Sequence, residues 1–364
     1  MSRVLVAMSG GVDSSAVCLL LRDAGHEVVG MTMRVYDLPQ QFSEGNDEPD
    51  FILNARKLAE QLNIEHHVID VRTEFRQSIV QDFLDEYCNG RTPNPCVLCN
   101  RDFKFRLLHE VAQQLNCELM ATGHYVKTVI QNGKHFLLMG DDLRKDQSYF
   151  LWRVPQETLQ RCIFPLGEME KTDVRRYLDE KGFEVHAKQS ESMEICFVEA
   201  DYRDFLRSQM PHLAEEVKGG NFVDGGGKKL GEHLGVPFYT VGQRKGLGIA
   251  LGKPAYVLRL NAAKNTIVLG DEADLQTSVF FIEDESFVDE TEAFNHESLS
   301  VRVRYHSKPV VCQLERLPDS SRILVRTASP VSAITPGQSA VFYIGNRLVG
   351  GAIISNQKGI GAYI

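Results

Sequence analysis

Ser9–Ser15 (SGGVDSS) lies between two apolar runs, Val4–Met8 (VLVAM) and Ala16–Leu21 (AVCLLL). This order predicts a β-strand, a tight glycine turn and the N-terminus of a helix. Two adjacent glycines allow the backbone to adopt positive φ and to approach a ligand closely. The side chains of Asp13–Ser15 suit the capping positions of the helix. Because a helix N-terminus presents free N–H groups and the positive end of a dipole, the loop is a candidate phosphate site.

The loop lacks the lysine of a Walker loop (G-x-x-x-x-G-K-S/T), which argues against an ordinary kinase or GTPase. The pattern S-G-G-x-D-S at the first strand–helix turn resembles the pyrophosphate-binding loop of the N-type ATP pyrophosphatases. The resemblance implies that ATP binds here, that a substrate oxygen is adenylated and that pyrophosphate is released. The alternative is a capped glycine turn that binds nothing. The candidate nucleotide-binding residues are Ala7, Met8, Ser9, Gly10, Gly11, Val12, Asp13, Ser14, Met33 and Gly123.

The composition is ordinary for a soluble globular protein, with 43% hydrophobic and 24% charged residues. At 364 residues the chain is long for one core, so we expect two or three domains. The sequence shows no membrane-spanning run, signal peptide or transit segment, so we expect a cytoplasmic protein without membrane association. A net charge of −9 argues against diffuse nucleic-acid binding but allows RNA contacts through locally focused basic residues.

Strands and helices alternate from the N-terminus to about residue 200. Strands are predicted at Glu27–Met33, His66–Val71 and Glu118–Thr122, with helical periodicity between them. This alternation predicts an α/β domain with a parallel sheet and helices on both faces. The resemblance to the N-type ATP pyrophosphatases implies a fold like that of the adenine-nucleotide hydrolases. Ligands of such sheets bind beyond the carboxyl ends of the strands, where the glycine loop, Met33 and Gly123 all fall. The last two positions equally suit a core methionine and a turn glycine.

The α/β pattern fades near residue 200. A short helical stretch and the Gly-rich residues 218–230 predict a small α+β domain over residues 201–272. From residue 273 to residue 364 about six short alternating strands predict a small closed antiparallel β-barrel. We therefore divide the chain into a catalytic domain (1–200), a central domain (201–272) and a C-terminal barrel (273–364).

Cys96 and Cys99 form a C-x-x-C pair within Thr92–Asn100 (TPNPCVLCN). Two prolines predict a stiff, non-helical loop. A helix predicted from about Asp102 begins beside Cys99, and its N-terminus together with the cations of Arg101–Arg106 would lower the thiol pKa. Three interpretations remain open: half of a zinc site, for which the sequence offers no second C-x-x-C or H-x-x-x-H; a redox pair; or a nucleophilic thiol.

Cys196, within Ser192–Phe197 (SMEICF), is a second candidate thiol. Taken alone, a cysteine between Ile195 and Phe197 is more often a small buried hydrophobic residue. The remaining cysteines lie in helical or strand patterns, and we predict that they are core residues: Cys18, Cys88, Cys117, Cys162 and Cys312.

Five motifs follow one another along the chain. They are Thr92–Asn100 (T-P-N-P-x-x-x-C-N), Ala121–Tyr125 (ATGHY), Lys145–Leu151 (KDQSYFL), Ser192–Phe197 (S-x-x-I-C-F) and Gly242–Ile249 (GQRKGLGI). Together they resemble the bacterial tRNA-specific 2-thiouridylase family, from the first strand to the terminal barrel. The resemblance implies that the C2 oxygen of the wobble uridine (U34) of tRNA is adenylated and then replaced by sulfur.

The same resemblance implies roles for individual residues. Cys99 would be the nucleophile, and Cys196 would carry a persulfide loaded by an external sulfur-relay protein. A Cys99–Cys196 disulfide would then be left for a reductant. Asn94, Pro95 and Cys96 would face the target base, although relatives have aspartate at the position of Cys96. Contacts with tRNA, made in part by the barrel, are implied for His124, Lys145, Asp146, Gln147, Arg304, Tyr305 and Gln338.

A target base must leave its stack to be reached, and His124, Tyr125 and Tyr149 are candidate stacking partners. Each is equally a half-buried aromatic residue. Mg²⁺ would accompany the phosphates of ATP, with Asp13 as a candidate ligand, and no other metal is expected. Two other functions remain open: an ATP pyrophosphatase that adenylates a different oxygen and needs no paired thiols, and a non-catalytic tRNA-binding module.

Overall fold

The computed structural model describes residues 1–183, 195–318 and 320–363. The chain divides into two units. Unit 1 comprises Met1–Ile79, Cys96–Glu199 and Asn346–Leu348, and unit 2 comprises Val80–Pro95, Ala200–Gly345 and Val349–Ile364. Among the described residues, no helix combines the length and the apolar character needed to cross a bilayer.

Unit 1 is built on a parallel sheet. Its strands and a separate hairpin are, in chain order, β1 (Arg3–Ala7), β2 (Glu27–Arg34), β3 (Glu65–Asp70), β4 (Leu119–Ala121), β5 (Val126–Gln131), β6 (Lys134–Met139) and β7 (Cys162–Ile163). The sheet has the order β3-β2-β1-β4-β7, and all its pairings are parallel. β5 and β6 are antiparallel and joined by Asn132-Gly133, a dipeptide typical of tight hairpin turns. The strand order reverses at β1, which creates a switch point between β1 and β4.

The described helices are named in chain order through both units. They are α1 (Val12–Asp23), α2 (Asp50–Leu62), α3 (Arg72–Phe75), α4 (Gln81–Cys88), α5 (Pro95–Cys99), α6 (Phe105–Gln114), α7 (Gln156–Leu159), α8 (Lys171–Glu180), α9 (Tyr202–Gln209), α10 (Leu213–Glu216) and α11 (Glu290–Asn295). Two π-helical turns, Arg76–Val80 and Asn100–Lys104, interrupt the helical runs. Short 3₁₀ turns are Pro39–Gln41, Ser148–Phe150, Val236–Phe238, Ala262–Lys264, Glu272–Leu275 and Ile360–Ala362.

β1 is apolar throughout because it is the central strand of a sheet that is covered by helices. Its residues Val4, Leu5 and Val6 are fully buried. α1, α2 and α8 share one hydrophobic cluster with β1, and α6 packs on β1 and β4. The predicted α/β domain with a parallel sheet is confirmed.

Unit 2 contains the remaining strands, except for the first two residues of the last strand, Arg347 and Leu348, which belong to unit 1. The first four form a sheet of order β10-β11-β8-β9: β8 (Gly220–Val223), β9 (Lys229–His233), β10 (Tyr256–Asn261) and β11 (Thr266–Gly270). The last six are β12 (Gln276–Phe287), β13 (Leu299–Arg302), β14 (Val310–Arg316), β15 (Ile323–Ser332), β16 (Ser339–Ile344) and β17 (Arg347–Ile354). They run in the order β12-β15-β14-β13-β16-β17, and β17 pairs again with β12. The predicted closed antiparallel barrel is confirmed.

Candidate functional site

The residues predicted for the nucleotide lie at three neighbouring strand ends. The glycine loop follows β1, Met33 lies near the end of β2, and Gly123 follows β4. These strands are adjacent in the sheet, and β1 and β4 flank the point where the strand order reverses. Gly123 lies against the loop, because a Cβ atom there would be 2.9 Å from the Cβ of Asp13. The fold therefore brings the loop, Met33 and Gly123 to one edge of the sheet.

α1 begins two residues earlier than the predicted capping residues Asp13–Ser15 suggested. Gly11 is the N-cap residue, and no side chain caps the helix, so the predicted capping role of Asp13–Ser15 is wrong. The hydroxyl groups of Ser14 and Ser15 instead donate back to the carbonyl oxygen of Gly11, at 3.2 and 2.8 Å. The first N–H groups of a helix have no acceptor within the helix. Those of Val12–Ser14 thus face the strand-end edge as donors for an anion.

Gly10 is required by the geometry of the loop. Its φ is +68°, and a Cβ atom would lie 2.1 Å from the carbonyl oxygen of Phe51 in α2. A backbone oxygen cannot move aside as a flexible side chain can, so any larger residue would push the loop away from α2.

The other residues predicted for the nucleotide flank the loop. Ala7 ends β1. Met8 is buried, and its N–H group donates to the carbonyl oxygen of Met31 at 2.7 Å. Met33 is half-buried and pairs in register with Ile69 of β3. The backbone of Met8 is thus fixed to β2 immediately before the glycine loop begins.

Two groups that sequence reasoning missed hold the carboxylate of Asp13. The ammonium group of Lys171, the first residue of α8, donates to both carboxylate oxygens at 2.7 Å. The Tyr125 hydroxyl donates to one of them, also at 2.7 Å. The Lys171 side chain is only 11% exposed. A fixed positive charge therefore lies beside the glycine loop. Lysine and loop are far apart in the chain, so no local pattern could reveal the pairing.

The C-x-x-C pair lies on a helix and not in a rigid irregular loop. Pro95 begins α5, where the missing N–H of proline costs nothing, so the predicted non-helical loop is wrong beyond Asn94. Cys99 ends α5, and the helical backbone continues through Asn100–Lys104 into α6. Cys99 therefore does not lie at a helix N-terminus.

The expectation of a lowered thiol pKa at Cys99 is also wrong. Cys99 is buried, and this burial raises the pKa of its thiol to about 12, against the opposing effect of Lys104. Burial likewise raises the pKa of the half-buried Cys96 thiol, again against Lys104. Both thiols are therefore protonated near neutral pH in the free protein.

Cys196 joins this pair in space. Cys96, Cys99 and Cys196 act on one another electrostatically, and Lys104 acts on all three. Cys196 is exposed, and all three thiols are free. The thiol cluster, as we name Cys96, Cys99 and Cys196, thus combines a buried, a half-buried and an exposed residue, and burial raises the thiol pKa of all three.

Aromatic packing explains why Cys196 lies there. Phe197 is buried and packs edge-on against Phe75, with ring centroids 5.7 Å apart. Phe75 packs in the same way against Phe103, one residue before Lys104, at 5.4 Å. This chain of rings fixes the residue after Cys196 to the turn that follows Cys99. Residues 192–194 of the same motif lie outside the described part of the chain.

His124 is a titratable ring on which the charge of Lys104 acts. It stacks on Phe105 with centroids 5.8 Å apart, and its Nδ1 lies 2.8 Å from the Thr122 hydroxyl oxygen. Burial lowers the pKa of His124 to about 3, and Lys104 acts in the same direction. The imidazole is therefore neutral throughout the physiological range.

The motif Lys145–Leu151 uses several of its side chains inside unit 1. Asp146 is buried, and its carboxylate accepts hydrogen bonds from the Ser148 N–H and hydroxyl groups. The Gln147 side-chain oxygen accepts from the N–H group of Tyr125 at 3.1 Å. Lys145 is half-buried. Tyr125 and Tyr149 are buried, which favours the alternative that they are packed aromatic residues, and their stacking on a base stays a prediction.

The other residues that the resemblance assigned to tRNA lie in unit 2. Exposed Arg304 and half-buried Tyr305 occupy the turn after β13, where the Ser307 hydroxyl donates to the carbonyl oxygen of Arg304 at 2.8 Å. The Gln338 amide donates to the carbonyl oxygens of Thr92 and Pro93, at 3.0 Å each. Gln338 therefore holds the backbone that leads into Asn94 and Pro95, which are half-buried and buried respectively.

The remaining cysteines are placed as the sequence predicted, with one exception. Cys18, Cys117, Cys162 and Cys312 are buried, whereas Cys88 is half-buried beside Met210. Within residues 1–183, 195–318 and 320–363, no three His, Cys, Asp or Glu side chains are grouped so that they could hold a metal ion.

Sequence comparison gives the family of the chain. Residues 2–200 match the profile described as tRNA methyl transferase HUP domain, residues 203–271 the tRNA methyl transferase PRC-barrel domain, and residues 277–354 the aminomethyltransferase beta-barrel domain. A tRNA-specific 2-thiouridylase MnmA 3 of Phocaeicola vulgatus is 57% identical over 359 residues, which are 98% of this chain and 96% of the relative. Its namesake in Bacteroides fragilis is 54% identical over 362 residues, 100% and 96% of the two chains. The tRNA-specific 2-thiouridylase MnmA of Cytophaga hutchinsonii is 42% identical over 362 residues, 98% of each chain. The chain therefore belongs to the tRNA-specific 2-thiouridylase family.

Proposed function

We propose that this chain is an ATP-dependent tRNA-uridine 2-sulfurtransferase that acts on the wobble uridine. The observation that carries the proposal is the thiol cluster, in which Cys99 and Cys196 are neighbours within the unit that also bears the glycine loop. Family membership supports the same reaction. A synthetase that only adenylates an oxygen would have no use for the paired thiols.

ATP activates the oxygen that sulfur replaces. The helix N-terminus at Val12–Ser14 and the ammonium group of Lys171 would bind the departing pyrophosphate. The C2 oxygen of the uridine attacks the α-phosphorus, and AMP then becomes a good leaving group at C2. Mg²⁺ would arrive on the phosphates of ATP. While the Lys171–Asp13 ion pair is intact, Lys171 takes the place beside Asp13 that a metal ion would need.

Sulfur reaches the base through the two thiols. Exposed Cys196 is accessible to a sulfur-relay protein that loads it with a persulfide. Cys99 then attacks the inner sulfur of this persulfide, the outer sulfur leaves as hydrosulfide, and a Cys99–Cys196 disulfide forms. The hydrosulfide attacks C2 of the uridine, and AMP leaves with the former C2 oxygen. Alternatively, the persulfide attacks C2 directly, and Cys99 then attacks the inner sulfur of Cys196. This order of steps gives the same products. A thiol reductant returns two electrons and two protons, which fits a cytoplasmic protein.

Cys96 does not replace the acid–base function of an aspartate. Its thiol pKa is raised by burial, so it stays protonated where a carboxylate would be ionised. We propose that Cys96 fills space beside the base and is exposed to oxidation with Cys99. Asn94 and Pro95 would face the base together with it.

Contacts with tRNA would come from both units. His124, Lys145, Asp146 and Gln147 would contribute from unit 1, and Arg304, Tyr305 and Gln338 from unit 2. The exposure of Arg304 supports a phosphate contact, whereas buried Asp146 and the bonded Gln147 would act by shaping the surface. The proposed domains 1–200, 201–272 and 273–364 are supported by the three profile matches.

Two glycine variants distinguish the effect of displacing the glycine loop from the general effect of a strained backbone. Gly10→Ala adds a Cβ atom 2.1 Å from the Phe51 carbonyl oxygen, so the loop must shift, and we expect ATP affinity to fall at least about tenfold. Gly25→Ala is the matched control, because its φ is +82° but nothing lies within 4 Å of the new atom. Isothermal titration with ATP measures both. Equal affinities for the two variants would contradict the assigned loop.

The function itself is tested with the reduced protein, unmodified tRNA, ATP and a sulfur donor. We expect tRNA-dependent release of pyrophosphate and 2-thiouridine at the wobble position, measured by mass spectrometry of the nucleosides. Pyrophosphate release without 2-thiouridine would favour adenylation of another oxygen. Binding of tRNA without pyrophosphate release would favour a non-catalytic module.

A further inference from the structure

A π-helical turn sets the direction of Lys104. In the turn Asn100–Lys104 the N–H group of Phe105 bonds to the carbonyl oxygen of Asn100, five residues back instead of four. In a regular α-helix, position 104 would lie roughly 140° around the axis from position 99. The five-residue repeat brings Lys104 back over Cys99. Cys96, three residues before Cys99 in α5, lies on that same face.

Tertiary contacts hold this unfavourable turn in place. The Asn100 side chain is 3% exposed, and its amide donates to the carbonyl oxygen of Phe150 at 3.0 Å. Phe103 is buried against Phe75. A π turn is rare, appears mostly as a single turn inside an α-helix, and is frequently found at functional sites. Its consequence here is the placement of one lysine over the sulfur atoms.

The surroundings of Lys104 differ from those of the neighbouring cations. Arg101 pairs with Asp102, and Arg106 pairs with Glu74 and Glu110. Lys104 is half-buried, and the groups that act on its charge are the sulfur atoms of Cys99, Cys196 and Cys96. In the part of the chain that the structure describes, no carboxylate forms an ion pair with it.

We propose that Lys104 is a positioning residue whose ammonium group stabilises the sulfur anions of the Cys99–Cys196 pair. The inference rests on the proposed function. When the Cys99 thiolate attacks the inner sulfur of the Cys196 persulfide, the Sγ–Sδ bond breaks and its electron pair leaves with hydrosulfide. A Cys99–Cys196 disulfide forms, and a thiol reductant then reduces it to the two free thiols. Negative charge thus moves from Cys99 past Cys196, and Lys104 lies beside both while keeping its proton.

Among the residues that the structure describes, neither Asp102 nor His124 supplies this charge. Asp102 acts on Cys99 with the opposite sign, and His124 is neutral because burial lowers its pKa to about 3. The Cys99 thiol pKa is about 12 even with Lys104 present, so the lysine counteracts a large cost of burial. An opposite charge within about 4–6 Å shifts the pKa of a titratable group by about one unit or more.

Alkylation of Cys99 by iodoacetamide, followed by peptide mass spectrometry between pH 7 and pH 10, tests the proposal on the full chain. Because only the thiolate reacts, we expect Lys104→Met to slow alkylation of Cys99 about tenfold at pH 8. Raising the pH by one unit should restore the rate, since the thiolate fraction below the pKa rises tenfold per unit. Lys104→Arg keeps the charge and should remain close to the wild type.

Arg106→Met is the matched control, because it removes one positive charge from the same helical run but a charge paired with carboxylates. Cys18, fully buried in unit 1, reports on folding and should stay unlabelled in every variant. If Cys18 becomes labelled in Lys104→Met, that variant is misfolded, and Lys104→Gln is used in its place. The proposal is overturned if a folded variant without the charge of Lys104 alkylates Cys99 at a rate within twofold of the wild type. The alkylation assay needs neither ATP nor tRNA. Its result can therefore be interpreted even if the proposed function is wrong.

Discussion

Replacing Cys99 with serine is expected to abolish sulfur incorporation into tRNA, by at least about a thousandfold, while ATP still binds. A serine hydroxyl cannot form the Cys99–Cys196 disulfide, so the persulfide sulfur cannot be released. Cys99 is buried at the end of α5, and serine there costs only the burial of one hydroxyl group, about 1–3 kcal/mol. The glycine loop lies after β1, outside that helix, and should keep its affinity for ATP.

Cys96→Ser is the matched control for this experiment. It replaces a half-buried thiol on the same helix face, three residues earlier, in a residue for which we propose only space filling. We expect it to retain most of the activity. Cys196→Ser should match Cys99→Ser in its loss and change folding stability little, because Cys196 is exposed. Formation of 2-thiouridine is followed by mass spectrometry and ATP binding by calorimetry. Full thiolation by Cys99→Ser would rule out the two-thiol scheme.

The parts of the fold that depend on local periodicity could be predicted from the sequence. The run Val4–Met8 is apolar at every position because both faces of β1 are covered. Period-2 alternation in the last ninety or so residues reflects a barrel whose strands have one buried face and one solvent-exposed face. The glycine loop was recognisable for the same reason, since its turn chemistry, strand and helix are contiguous. Structural elements that depend on residues close together in the chain can therefore be predicted from the sequence.

The parts of the candidate site that depend on tertiary contacts could not be predicted. Pro95 is read locally as a helix breaker, yet it begins α5, because a proline at the first helical position sacrifices no hydrogen bond. The π turn after Cys99 is held by Asn100 and Phe103, whose partners Phe150 and Phe75 lie elsewhere in the chain. Thiol pKa values follow burial, which a motif does not show, so the expected thiolate at Cys99 was wrong.

Lys171→Met is expected to weaken ATP-dependent pyrophosphate release by about thirtyfold, equivalent to about 2 kcal/mol. Lys171 donates to both oxygens of Asp13, and its removal leaves a carboxylate without its cation beside the loop where phosphates would bind. The pair is only partly buried, with 11% and 33% of the two side chains exposed, so the loss should fall below that of a fully buried ion pair. Initial rates of pyrophosphate release at saturating tRNA measure the effect.

Lys181→Met provides the matched control, since Lys181 joins the other end of α8 to Asp23 of α1 and lies far along both helices from the glycine loop. It removes an ion pair between the same two helices, so any shared loss of stability appears in both variants. We expect its rate to stay within twofold of the wild type. The double variant Asp13→Asn/Lys171→Met decides what the lysine does. If Lys171 only neutralises Asp13, the double variant recovers the rate. If its charge also binds the departing pyrophosphate, as we propose, the rate stays low, and recovery would contradict that role.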